Sequence, residues 1–253
     1  MKKAVKEQGI RGSKARCLEL TSRDPNEVAS ILNRLVFPFA EVDPMHDIWM
    51  PKGFSHQKEA MLDKDTCAQF LSVDIRRKLR DWWLIYPAKT PTWDLVSTCL
   101  IDGKRGLIAV EAKAHDDEAK VEGKGEDEDA SLHSQANHSR IGSAIAEANV
   151  GLNSIIPGWS LSRDNHYQLC NRFAWTWKIA TFGVPMVLVY LGFLNASEMV
   201  DVGHPFDSIL SWEKYLRDYT KSIVPVSAWG KKLQTSEAPM FAVITSLELE
   251  WAS

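Results

Sequence analysis

WDLVSTCLIDGKRGLIAVEAK, residues 93–113, holds two extended runs on either side of Asp102-Gly103. WDLVSTCLI (93–101) and RGLIAVEAK (105–113) are rich in residues that suit a pleated, half-buried surface. Asp-Gly between two such runs favours a two-residue type I′ turn, which requires positive φ at both positions. Ile101 and Lys104 then close the turn. Counting back equally along both strands puts Asp94 opposite Glu111, with Lys113 diagonal to Asp94 on the same face. A four-residue turn closed by Ile101 and Gly106 pairs Asp94 with Lys113 and keeps all three groups on one face. A three-residue loop sends Asp94 to the other side.

The charges ending the second strand need an explanation, because Leu107–Val110 reads as buried. Charges are costly to bury unless paired or bound to an ion. Two carboxylates directly opposed, about 5 Å apart at Cβ, destabilise a sheet. A hard divalent cation removes that penalty, and carboxylate oxygens with few protein ligands suit Mg²⁺ or Mn²⁺. The competing arrangement is an Asp94–Lys113 ion pair with Glu111 turned to water. Acid-x-Lys by itself carries little information, since it recurs at Asp102–Lys104, Glu118–Lys120 and Glu122–Lys124. Only Glu111 and Lys113 end an apolar strand.

Before the hairpin, SHQKEAMLDKDTCAQFLSVDIRRKLR (55–80) reads as one long amphipathic helix with a basic last turn. DWWLIYP (81–87) follows as a short strand stopped by Pro87. Upstream, Asp24 and Pro25 are the N-cap and first position of a helix over 22–37. Residues 38–54 form a loop, and 1–16, with six basic residues and one acid, a flexible arm. Downstream, DDEAKVEGKGEDED (116–129) contains eight acids and reads as a mobile solvated loop within an insertion at 115–131. Helices are expected at 133–152, 166–182 and 208–223, and strands at 184–193 and 240–251. Helix, three strands, helix, strand implies an α/β architecture: a mixed central β-sheet flanked by helices in one domain spanning 1–253.

Composition excludes several classes. With 45% hydrophobic and 25% charged residues in 253, the chain is an ordinary globular protein. Its net charge of −3 gives no global attraction to polyanions, so a nucleic acid must be met locally or through a cation. Cys17, Cys67, Cys99 and Cys170 form no CxxC and read as reduced thiols in a cytoplasmic protein. The basic N-terminus lacks the apolar stretch of a signal peptide. The most apolar window, 182–194, is too short to span a bilayer, so no membrane partner is expected. Trp82, Trp83, Trp93, Trp175 and Trp177 are expected in the core.

PTWD (91–94) followed by VEAK (110–113) resembles the PD-(D/E)XK nuclease superfamily. There an acid on the second core strand and an acid-x-Lys on the third lie in a restriction-endonuclease-like fold. The resemblance covers about 57–113 and 166–193, so the core is placed at about 55–193 with N- and C-terminal additions around an αβββαβ order. It departs from the family pattern in that Asp94 follows Trp93, with the proline earlier at Pro91. It implies Asp94 and Glu111 as catalytic metal ligands with the Ala112 carbonyl beside them, and Lys113 as the catalytic lysine. The implied activity is metal-dependent hydrolysis of DNA phosphodiesters, by an endonuclease acting alone, as a homodimer, or within a defence or repair assembly. The alternative is a catalytically silent nuclease-fold subunit that binds nucleic acid or serves as a scaffold.

Family position also nominates supporting residues. Glu59, with Asp63 one turn on, is the candidate helix acid for the metal. Gln168 and Arg172, on one face of the 166–182 helix, are candidate substrate contacts. Gln168 has a local alternative, a capping-box-like pairing with Asn165 as N-cap. Arg172, a cation on an apolar helix, is the better candidate for phosphate. His115 continues the face of Lys113 and is expected at the rim.

Overall fold

The computed structural model describes residues 10–119, 121–125 and 129–249. Among these, helix α1 spans Gly12–Thr21 and α2 spans Pro25–Val36, the latter capped by Asp24, whose side chain accepts from the Asn26 N–H. Strand β1 is Trp49–Met50, α3 Val73–Trp83, β2 Leu95–Ile101 and β3 Lys104–Lys113. Helices α4 (Leu132–Ile155) and α5 (Tyr167–Thr181) lead to β4 (Met186–Leu194). Then come α6 (Ile209–Thr220), β5 (Leu233–Gln234) and β6 (Pro239–Glu248).

The strands form one mixed sheet in the order β1-β2-β3-β4-β6-β5. β1, β2 and β3 are antiparallel neighbours, β3, β4 and β6 run parallel, and β5 returns antiparallel. Alternation along the strands builds two cores, one on each face. Ile108, Val110 and Ala112 pack under α1 and α2. Leu107 and Ala109 pack under α3, α4 and α5, with the five expected core tryptophans. α4 and α5 lie close enough that a Cβ on Gly151 would sit 2.3 Å from the Trp177 ring. No helix of the described residues is long and apolar enough to cross a membrane.

Four expectations are corrected. Residues 55–71 are not helical: they hold short 3₁₀ turns at Gly53–Ser55 and Asp65–Cys67 and an extended stretch between them. There Trp93 N–H donates to the Ala60 carbonyl, and buried Asp63 takes the Thr90 hydroxyl and Lys64 and Arg80. Those long-range partners outweigh local helix propensity. The helix begins only at Ser72, whose hydroxyl caps Ile75 N–H. Trp82 and Trp83 belong to the end of that helix, so 81–87 is not a strand; the third strand of the meander is the short β1.

The arm at 1–16 is structured over its second half. Arg16 in α1 is fully buried and forms a two-pronged ion pair with Glu198, while Arg11 pairs with Asp201 at 2.8 Å. Residues 1–9 lie outside the described residues, as do 120 and 126–128 of the acidic insertion and the end of the 240–251 strand. Of the described part of that insertion, 116–118 form a 3₁₀ turn, and Glu122 bridges to Asn165, with Lys124 N–H on the Arg163 carbonyl.

Candidate active site

The hairpin sets the geometry. Asp102 and Gly103 have φ of 49° and 73°, and Ile101 pairs with Lys104. The ladder runs back to Leu95↔Val110, so residue 94 stands one step beyond it, facing 111. Asp94 is partly accessible, and its Oδ2 accepts from the Ala112 N–H at 2.8 Å. Burial, then the negative charge of Glu111, pushes its carboxyl up to about 7.

Glu111 is buried and held at both oxygens. Lys113 Nζ donates to Oε1 at 2.6 Å and Arg172 Nε to Oε2 at 2.6 Å. Burial alone raises a carboxyl, but these two cations outweigh it and hold Glu111 below the usual range. Lys113 also donates to Gln168 Oε1 at 3.0 Å and forms no ion pair with Asp94. The simple Asp94–Lys113 pair is therefore not what the chain builds.

Helix α5 supplies the other half. Its N-cap is His166, at φ 48° and without a side-chain cap, while Asn165 Oδ1 sits 2.6 Å from His166 Nδ1. The Asn165–Gln168 capping pair does not form, which leaves Gln168 to Lys113. Arg172, one turn along, is buried over the Trp93 ring at 4.7 Å from its centroid. Besides Glu111, it donates to Asn171 Oδ1 at 2.9 Å and to the Thr92 carbonyl at 2.6 Å. Each guanidinium nitrogen has one protein partner, so Arg172 compensates the charge of Glu111, and it also lines the adjoining cleft.

A cleft of about 590 Å³ opens above these groups, lined on one side by residues 89–92 and Asp94 and on the other by Glu118, Glu122, Tyr167 and Gln168. Glu59 lines it too, though not from a helix. The antiparallel bridge Ala60↔Trp93 places Glu59 next to Asp94 across the pairing, with Lys14 Nζ at 3.4 Å. Asp63 faces away, into its own buried cluster.

Sequence reading missed Glu118, taken as one acid among many in a solvated loop. Its Oε2 accepts from Ala114 N–H at 2.6 Å and its Oε1 from the Ser13 hydroxyl at 3.2 Å. It thereby pins the start of α1 to the end of the site strand. The signal was its spacing, four residues past Ala114. His115 is not at the rim: it is buried behind Glu118, Nε2 at 3.6 Å from Oε1, with no partner on Nδ1.

Comparison with family models, with curated proteins and with solved structures finds no match to this chain. Among the described residues, no cluster of three or more His, Cys, Asp or Glu side chains is placed to hold a metal. A soft, closed zinc centre is not available. Two adjoining carboxylates do fit a hard cation that keeps most of its water. The Ala112 carbonyl lies on the same edge, since a strand residue turns its N–H and C=O to one side.

Proposed function

We propose that this protein is a metal-dependent nuclease of the PD-(D/E)XK type, cleaving phosphodiester bonds of DNA. The carrying observation is the adjoining of Asp94, one residue before β2, and Glu111 of β3, with Lys113 on the same face as Glu111. The order α2, β1, β2, β3, α5, β4, antiparallel meander then parallel crossover, supports a restriction-endonuclease-like core that begins earlier than residue 55. In that core α3 is an insertion between the first two strands.

Asp94, Glu111 and the Ala112 carbonyl would hold Mg²⁺ or Mn²⁺, which supplies charge neutralisation at phosphate and a more acidic bound water. Lys113 places an ammonium where negative charge builds on the phosphoryl oxygens. Gln168 fixes the position of that ammonium. Arg172 supports Glu111 from behind and, through the Thr92 carbonyl, the wall leading to Asp94.

The test is incubation with plasmid, linear and single-stranded DNA and with RNA in Mg²⁺, Mn²⁺ or EDTA. Cleavage lost in EDTA and in Asp94→Ala and Lys113→Ala variants is the expected result. One observation favours a second reading, a non-cleaving nucleic-acid-binding or scaffold subunit. Both Glu111 oxygens are already occupied by protein cations, so its charge is balanced without a metal. Binding without cleavage under every metal condition would select that reading.

A further inference from the structure

We propose that a nucleic-acid strand lies along the 89–92 wall of the cleft, with Lys89 as its phosphate contact. The inference deepens the reading above by naming the contact and the side of entry.

Of the cations at the site, Lys113 and Arg172 are paired with Glu111 and Lys14 with Glu59. Lys89 is different: it lines the cleft, is exposed, and makes no ion pair or side-chain hydrogen bond among the described residues. Its backbone is nonetheless well fixed. The next residue, Thr90, is buried with its hydroxyl on buried Asp63. Trp93 N–H is tied to Ala60, and the Thr92 carbonyl to Arg172. A mobile ammonium on a rigid wall suits a phosphate contact, which needs charge more than fixed geometry.

The opposite wall is acidic, whereas Lys89 brings a cation to the first, which it shares with Asp94. Glu118 and Glu122 present carboxylates there, and backbone pairing with residues 165 and 167 holds Glu122 in place. Lys124, two residues past Glu122, has its ammonium over the Tyr167 ring, 5.3 Å from the centroid. Within a Debye length of about 8 Å, phosphates are drawn to the first wall and kept off the second. The polarity of the cleft, rather than the net charge of the chain, decides where a polyanion enters.

The test is binding of fluorescein-labelled single-stranded and duplex oligonucleotides, followed by anisotropy across a salt series with Ca²⁺ in place of Mg²⁺. Lys89→Ala should weaken binding severalfold and lower the log–log salt slope by about one contact's worth, roughly 0.7 to 0.9. Glu122→Gln should tighten binding, and Lys231→Ala, an exposed lysine elsewhere, should change neither quantity. Unchanged melting temperatures show that the variants fold. A wild type that binds yet shows no change in Lys89→Ala overturns this inference alone. A wild type that binds neither probe overturns the nuclease reading beneath it.

Discussion

Arg172 and Lys113 hold the two oxygens of Glu111 separately, each at 2.6 Å, so a fully buried carboxylate is neutralised from two elements of the fold. Lys113 shares its strand with Glu111, whereas Arg172 reaches it from α5. Removing Arg172 leaves a buried charge half compensated, which typically costs about 3–5 kcal/mol. Arg172→Met should therefore lower the melting temperature sharply. Arg172→Lys should not restore it, because an ammonium cannot serve Glu111, Asn171 and the Thr92 carbonyl in one plane. Equal melting of Arg172→Lys and wild type would show that this network contributes little.

Asp94 gives stability a pH dependence of definite sign. Its carboxyl sits near 7 in the folded chain through burial and Glu111, against about 3.9 when unfolded. The folded protein keeps a proton that the unfolded chain has lost between those values, so this contribution is complete below about 4 and disappears as pH rises through 7. Asp94→Asn should melt higher than wild type at mildly alkaline pH, with a flatter pH profile, while losing cleavage. A variant that melts lower there would mean that Asp94 is a stabilising charge and not a functional one.

The Lys113–Gln168 hydrogen bond separates positioning from chemistry. Lys113→Ala should abolish cleavage. Gln168→Ala leaves the ammonium in place but unsteadied, and such supporting contacts are commonly worth about 10–100-fold. That loss should fall on kcat with KM little changed. A large KM change instead would put Gln168 in contact with substrate.

How far the sequence was legible follows from the range of the forces involved. The 93–113 hairpin could be read because Asp102-Gly103 fixes the register locally, and the remaining placements followed by counting. Helices α2, α4, α5 and α6 carried their own periodicity. What failed was decided by distant partners. Residues 55–71 look helical until Ala60 meets Trp93 and Asp63 meets Thr90. Trp82 and Trp83 look like a strand until Ser72 caps the helix before them. Arg172 was visible as an anomalous cation, but its consumption by Glu111 could not be seen without the packing of α5 on β3. Glu118 was hidden by the acids around it.

The hairpin turn offers a control independent of the chemistry. Gly103 has φ 73°, and an added Cβ would meet nothing within 4 Å, so Gly103→Ala tests backbone conformation alone. The left-handed region costs an ordinary residue about 1–2 kcal/mol, and Gly103→Asn should cost less because Asn tolerates that region. Gly106 lies nearby with no such constraint on φ, yet its Cβ would come 2.7 Å from the Pro185 carbonyl and 2.8 Å from Ile101 Cδ1. Gly106→Ala must therefore displace β4 or the turn, at roughly 1–3 kcal/mol. Chemical denaturation should show losses in both, and cleavage should survive in Gly103→Ala because the turn lies at the far end of the hairpin from Asp94. If Gly103→Ala proved neutral, the two-residue turn would be wrong, and the placement of Asp94 beside Glu111 would lose the register that supports it.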